Sequence, residues 1–425
     1  MDRIKKRLIG QLPNNVMSFI VVILTGLVLG LIMYTFFPKN AVFLIIALVI
    51  GLILGFILFT ILPRNAISSI TAIIAGLAVG FIILLITNPS QAVGAFLKII
   101  SAGLSDLKNF GDVLYFATPI IMTGLSVGFA SRTGLFNIGA SGQFTFGAYA
   151  AILIGVRWTF LPGATHWIVA ILAAVIAGAL WGVIPGLLKA YFNVNEVIAC
   201  IMMNYIGMFL VNYLIPLTCY DSRYNTTQPV ASSAILPKLG MDKIFKGKTL
   251  VSSANSGIFI AILAAIAIYV ILEKTVFGYE LKASGYNSDA ARYAGINRVK
   301  GVVSSMAISG ALAGLGGALL YLAGSGKRIT VVDELAVEGF NGIPVALLGL
   351  NNPIGIVFAG LFVSYMNVGG SGMQAFDFTS EIIEIIIATI IYFSAFSLLI
   401  KDFLQSRMRK DQIFIASGTA AGEDR

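Results

Sequence analysis

The chain has 425 residues, of which 58% are hydrophobic and 11% are charged, and its formal net charge is +9. Soluble domains carry about 25% charged residues, so this composition excludes a soluble globular protein, and two cysteines are too few for a secreted disulfide scaffold. Continuous apolar blocks of about 20 residues, each able to cross about 30 Å of hydrocarbon, exclude a disordered chain and a β-barrel and predict an all-α polytopic membrane protein.

The apolar blocks predict about twelve transmembrane helices. In chain order they cover residues 16–36, 41–62, 66–87, 113–130, 137–156, 167–191, 195–217, 257–272, 302–323, 338–350, 353–368 and 380–400. Basic residues precede the first block (Arg3, Lys5, Lys6 and Arg7), which places the N-terminus in the cytoplasm. An even number of crossings returns the basic C-terminal tail to the same side. The positive charge is therefore explained by membrane topology and not by binding to nucleic acid.

Three polar segments interrupt the apolar blocks. Residues 88–112 are expected outside and include an amphipathic stretch, 92–104, that is suited to the membrane surface. Residues 218–256 form an external loop, and residues 273–300 form a cytoplasmic one. The cytoplasmic loop is the most informative of the three.

A short helix is predicted inside the cytoplasmic loop. Asn287 or Ser288 suits its N-cap, Asp289 suits its first turn and Gly295 suits the position after its end. A helix this short is not stable alone, so it must rest on lipid headgroups or dock into a protein. Small side chains and one cation fit a protein groove better than a lipid surface. They are Ala290, Ala291, Arg292 and Ala294.

Charged side chains are absent from the middle of every predicted span, and the chain carries no phosphate-binding Walker A loop. The sequence therefore predicts no nucleotide hydrolysis and no proton relay. Uphill transport would draw its energy from another subunit, or from sodium bound by neutral oxygens. Neither Cys200 nor Cys219 has a neighbour that ligates metals, and His166 stands alone, so no metal site is expected.

Glycines recur four residues apart within the spans, which lets helix backbones approach closely. The pairs and triplets are 26/30, 51/55, 76/80, 124/128, 178/182/186 and 310/314. Static close packing and helix sliding during transport both explain this pattern.

An ordered set of motifs identifies a family. The motifs occupy residues 125–143, 193–198, 203–205, 290–296, 339–353 and 368–374. With them the chain resembles the membrane-spanning subunits of ABC importers in the branched-chain amino acid, simple sugar and nucleoside permease superfamily, and most of all the nucleoside-type permeases. It departs from the pattern at Ser141, where members often carry an acidic residue.

The resemblance implies a core of ten helices in two related halves, of the type II-like importer class. Residues 1–65 would then be an additional N-terminal two-helix hairpin, residues 66–400 the permease core and residues 401–425 a cytoplasmic tail. The implied partners are a cytoplasmic ATP-binding subunit, a second permease chain (identical or related), an extracytoplasmic solute-binding lipoprotein and membrane lipid. The chain itself would be no enzyme and hold no cofactor, because ATP is used by the partner subunit.

Paired interruptions of apolar segments are the best sequence pointer to a transporter's solute path. Here 136–139 opens one span and 340–342 opens another, each with an Asn beside a Gly. Neutral amides suit an uncharged, hydroxyl-rich solute, and phenylalanines suit stacking on a base. The predicted path residues are Phe136, Asn137, Gln143, Asn204, Phe340, Asn341, Asn367 and Ser371. The alternative is that these amides bond to neighbouring helices.

The sequence therefore predicts import of nucleosides through a multi-pass protein of the cell membrane with both termini in the cytoplasm. Ribose or another simple sugar is the alternative cargo. A sodium-coupled carrier and a structural membrane protein are the alternative classes.

Overall fold

The computed structural model describes residues 64–247 and 251–395, which are almost entirely helical. The α-helices of these residues, in chain order, are α1 (Arg64–Thr87), α2 (Pro89–Ser101), α3 (Leu107–Arg132), α4 (Ala140–Arg157), α5 (Gly163–Phe192), α6 (Glu196–Thr218) and α7 (Met241–Ile244). They continue with α8 (Gly257–Lys274), α9 (Val276–Tyr286), α10 (Ser288–Tyr293), α11 (Arg298–Tyr321), α12 (Val337–Leu348), α13 (Pro353–Ser371) and α14 (Ser380–Ala395). A small antiparallel hairpin joins β1 (Tyr220–Asp221) to β2 (Thr226–Thr227), with Tyr220 opposite Thr227.

Six helices within the described ranges are long and apolar enough to cross a membrane. They are Leu107–Arg132, Thr165–Phe192, Glu196–Thr218, Gly257–Lys274, Arg298–Tyr321 and Pro353–Phe376. The protein is thus an all-α, multi-pass membrane protein. The predicted spans 16–36 and 41–62 and the tail 401–425 lie outside the described residues.

The described residues divide into two compact units. One contains residues 64–101 and 369–395, with α1, α2 and α14. The other contains residues 102–368, with all the helices from α3 to α12. In the first unit the aromatic ring of Phe376 packs directly on Gly94, in the space that a side chain at position 94 would fill.

Glycine contacts between α5 and α11 form the centre of the larger unit. A methyl group at Gly310 would collide with the carbonyl oxygen of Gly178, and one at Gly182 would lie 3.2 Å from the Cα of Gly310. The backbones therefore touch without intervening side chains. Close packing is confirmed for these pairs, as expected where the hydrophobic effect does not drive helices together.

The larger unit has two ends, named here for the arginines that mark them. At the Arg132 end, Arg132 forms an ion pair with Glu273 at the close of α8. At the Arg157 end, the Nε of Arg157 donates to the carbonyl oxygen of Thr218 at the close of α6 (2.6 Å). His166, also at this end, is fully buried and lies 2.8 Å from Ser233 Oγ.

Two predicted helices differ from the structure at functionally important positions. The span predicted from residue 137 begins only at Ala140, because the Asn137 side chain bonds to three neighbouring elements and keeps its backbone out of the helix. The span predicted to run to residue 350 ends at Leu348, because Leu350 and Asn351 take left-handed backbone conformations (φ +55° and +53°).

Candidate functional site

Two helices of the larger unit begin inside the bundle, and their starting residues touch. The Ser141 hydroxyl, in the first turn of α4, donates to the carbonyl oxygen of Ala336, the residue before α12 (2.9 Å). A Cβ atom on Gly339, in the first turn of α12, would lie 2.6 Å from the backbone nitrogen of Ser141. We call this contact of Ser141 with Ala336 and Gly339 the junction.

The junction lies well inside the length of α3. The Thr123 hydroxyl of α3 donates to the carbonyl oxygen of Glu338 (3.0 Å), and Thr123 precedes Arg132 by nine residues. At 1.5 Å per residue this places the start of α12 about 14 Å from the Arg132 end and about 24 Å from the other end of α3.

From the junction, α4 and α12 run in opposite directions. The α4 helix leads to the Arg157 end, whereas α12 follows α3 toward the Arg132 end, because Ala346 lies beside Gly128. Helices that begin at a common depth inside the bundle are the arrangement in which transporters place their solute sites.

A closed network of amides and hydroxyls holds the start of α4. The Asn137 Nδ2 group donates to Ser309 Oγ (2.6 Å) and to Gln143 Oε1 (2.7 Å), and lies 3.3 Å from Ser126 Oγ. In return, Gln143 Nε2 donates to Asn137 Oδ1 (3.2 Å). All four side chains are almost completely buried, so the network satisfies its own polar groups without water.

Asn204 of α6 completes the start of α4. Its Oδ1 accepts from the backbone nitrogen of Gly142 (2.8 Å), and its Nδ2 donates to the carbonyl oxygen of Ile138 (3.0 Å). The first N–H groups of a helix have no partner within the helix, and Gly139 at the N-cap offers no side chain for them. Asn204 therefore caps a neighbouring helix from across the bundle.

The structure places Asn137, Gln143 and Asn204 together and gives each of them hydrogen bonds within the protein. Phe136 beside them is 36% exposed, and both Phe340 and Asn341 on α12 are half-buried. Asn367 and Ser371 lie near the end of α13. Contact between any of these side chains and a solute stays a prediction.

Sequence analysis missed the serines that complete the network. Ser126 and Ser309 approach each other to 3.0 Å, and Ser309 also donates to the backbone of α3. Serine among small residues in an apolar span carries no distinctive signal. A serine on one span and an asparagine on another become partners only when the helices pack.

A second missed feature is the segment that leads into α12. An ion pair between Lys327 Nζ and Glu338 Oε1 (2.6 Å) joins the beginning of this segment to the first turn of α12. Within this segment, Arg328 pairs with Asp221 of the β-hairpin (3.0 Å) and lies over the ring of Tyr224. Lys327 and Arg328 are therefore both paired, whereas Asp333 and Glu334 in the same segment are exposed.

The predicted short helix of the 273–300 loop is confirmed as α10. Its N-cap is Asn287, whose Oδ1 accepts from the backbone nitrogens of Asp289 (3.1 Å) and Ala290 (3.0 Å), and Gly295 after its end has a φ of +83°. Three of the predicted docking residues, Ala290, Arg292 and Ala294, are exposed. Ala291 is buried against the protein, so its predicted place on the docking face is wrong.

Two exposed tyrosines frame the exposed face of α10. Tyr286 before the helix is 85% exposed, and Tyr293 at its end is 96% exposed. The loop itself is tied to the bundle by Glu273, which pairs with Arg132 and with Lys282 (3.2 Å). Because ion pairs anchor the loop to the bundle and its aromatic side chains are exposed to solvent, this short helix is suited to docking into another protein.

Residues 109–395 match the profile of a family described as the permease component of branched-chain amino acid transport systems. The chain belongs to this family. The permease is 39% identical to the guanosine ABC transporter permease NupP of Bacillus subtilis over 75% of its own length and 93% of that protein. It is 34% identical to the nucleoside ABC transporter permease NupB of Lactococcus lactis, over 71% of its own length and 83% of that protein.

Another relative of the permease is a glucose ABC transporter permease of Haloferax volcanii, which is 35% identical over 67% of this chain and 76% of that protein. No solved structure matches the permease. The resemblance to ABC permeases of the nucleoside type, inferred from the motifs, is confirmed.

Proposed function

We propose that this permease is the membrane-spanning subunit of an ATP-driven importer and that its cargo is a nucleoside. The observation that carries the proposal is the α9–α10 element, which presents exposed aromatic and small side chains from an anchored loop at the Arg132 end. A cytoplasmic ATP-binding subunit would dock there. A solute carrier that works alone has no use for such an element.

The proposed topology has twelve spans, of which ten form the core and the first two form an N-terminal addition. Both termini and the Arg132 end then face the cytoplasm, and the β-hairpin faces outward. The basic N-terminal residues support this orientation. The proposed assembly pairs this chain with a second permease chain and receives solute from an extracytoplasmic binding lipoprotein.

The docking proposal is tested by purifying the permease from its native membrane. We expect an ATP-hydrolysing subunit to purify with it and to be lost when Arg292→Glu reverses the exposed charge or Tyr293→Ala removes the exposed ring. The control is Tyr224→Ala, which removes an exposed ring (68%) at the opposite end and should leave the partner bound. Retention of the partner in both docking variants would contradict the proposal.

Nucleoside cargo is supported by the names of two relatives, and the glucose permease keeps a simple sugar as the second candidate. Uptake of labelled guanosine should be blocked by excess unlabelled nucleoside and not by glucose or ribose. Inhibition by the sugars alone would reverse the assignment. Uptake by the chain without its partner, driven by a sodium gradient, would replace the whole proposal with a secondary carrier.

A further inference from the structure

The segment leading into α12 is held from the Arg157 end by the β-hairpin. The backbone nitrogen of Val331 donates to the carbonyl oxygen of Asn225 (2.9 Å), and Asn225 Nδ2 donates back to the carbonyl oxygen of Val331 (3.0 Å). The backbone nitrogen of Thr227 donates to the carbonyl oxygen of Ile329 (2.9 Å). Hydrogen bonds therefore join the hairpin to this segment, which ends just before the junction.

The segment leading into α4 is held from the opposite end. Gly285 of α9 lies directly against Thr133 and Gly134, where neither glycine has room for a side chain. The Thr133 hydroxyl also bonds to Ser305 of α11. From Gly134 the chain reaches Asn137 and then α4 within six residues, so α9 packs a short stretch of chain away from the start of α4.

The two segments, one held from each end of the bundle, meet at the junction of Ser141 with Ala336 and Gly339. We infer that the junction is the gate of the permease: the starts of α4 and α12 separate when cargo passes, and the contact closes afterwards. This inference rests on the proposed function, because a gate has a role only if the chain conducts a solute.

The structure also indicates which helix moves. The α4 start is fixed by the buried network around Asn137, whereas α12 has only 12 residues and contains Pro344, which removes one backbone donor. After α12 two consecutive non-glycine residues, Leu350 and Asn351, have positive φ, and Asn351 Oδ1 is buried without a hydrogen-bond partner in the described part of the chain. Strained backbone positions cluster at switch regions, and a buried polar atom without a partner calls for an explanation, which a second arrangement of this turn would supply.

The ion pair between Lys327 and Glu338 determines how far that motion extends. It joins the beginning of the lead-in segment to the first turn of α12 across 2.6 Å, so the segment and the helix start move together. The hinge then falls at the turn after α12, where the positive φ values occur.

The test is the reactivity of a cysteine placed at the junction. Ser141 is fully buried, and so are the native Cys200 and Cys219. The Ser141→Cys chain is assembled with its ATP-hydrolysing subunit in membranes and treated with a permeant maleimide, with and without ATP. We expect labelling to increase several-fold during ATP turnover. Thr123→Cys, on the face of α3 that contacts α12, is the second variant and should respond in the same way.

Two positions serve as controls. Ala151→Cys lies ten residues further along α4, is equally buried, and should stay unlabelled in both conditions. Ser222→Cys in the exposed hairpin turn should be labelled in both. Guanosine uptake that persists while neither junction cysteine responds to ATP would overturn the gate and leave the proposed function standing. Loss of ATP-driven uptake by the unmodified assembly would refute both.

Discussion

Replacement of Asn137 by leucine should destabilise the permease strongly, because Asn137 is the centre of the buried network. Leucine has a similar size and removes three hydrogen bonds, those with Ser309 Oγ (2.6 Å), Gln143 Oε1 (2.7 Å) and Gln143 Nε2 (3.2 Å). Hydrogen bonds between membrane helices contribute about 0.6 kcal/mol each, which gives about 2 kcal/mol. The Gln143 amide, left buried without a partner, adds about 1 to 3 kcal/mol.

The expected loss for Asn137→Leu is therefore about 3 to 5 kcal/mol in the free energy of unfolding. The double variant Asn137→Leu with Gln143→Leu should be less destabilised than the sum of the two single variants, because it leaves no orphaned amide. The measurement is denaturant-induced unfolding of the purified chain in mixed micelles.

Asn341→Leu is the matched control. The Asn341 side chain forms no hydrogen bond with the residues that the structure describes, so its replacement should cost less than about 1 kcal/mol. Additive losses in the double variant, or equal losses at positions 137 and 341, would refute the assignment of a closed network around Asn137.

Three further predictions test other contacts of the larger unit. Glu273→Lys should lower guanosine uptake per ATP hydrolysed, and Arg132→Glu added to it should restore the ratio by re-forming the ion pair in reverse; no recovery would contradict a coupling role for this pair. Gly310→Val should prevent accumulation of folded chain in the membrane, since a Cβ there meets the backbone of α5, whereas Gly301→Ala should accumulate normally, as its nearest neighbour would lie 3.5 Å away. Lys327→Met should slow uptake more in low salt than in high salt. In high salt the ion pair of the parent protein is already screened, so its removal changes less. Equal slowing at both ionic strengths would argue against an ion-pair role.

Much of the helical architecture is predictable from composition and periodicity. Apolar blocks of membrane length correspond to α3, α5, α6, α8, α11 and α13, and their ends shift by at most six residues. The cap of α10 was also predictable, because Asn287, Asp289 and Gly295 act through their own neighbours in the chain. Such features depend on local physics that the order of residues already contains.

The candidate site was only partly predictable. The motifs identified Asn137, Gln143 and Asn204 but not their relation to one another or to Ser309, since hydrogen bonds between distant helices depend on how those helices pack. The orientation of Ala291 was mispredicted for a similar reason: the direction of a small side chain on a two-turn helix depends on what lies beneath the helix.

The order of residues alone determines that this chain lies in a membrane, that it is helical, and that it belongs to a family of permeases. Only the tertiary structure decides that α4 and α12 begin at a shared depth and touch through Ser141 and Gly339. The physical reason is the difference in range: burial in lipid acts on each block separately, whereas the junction requires residues almost 200 positions apart to pack without a side chain between them.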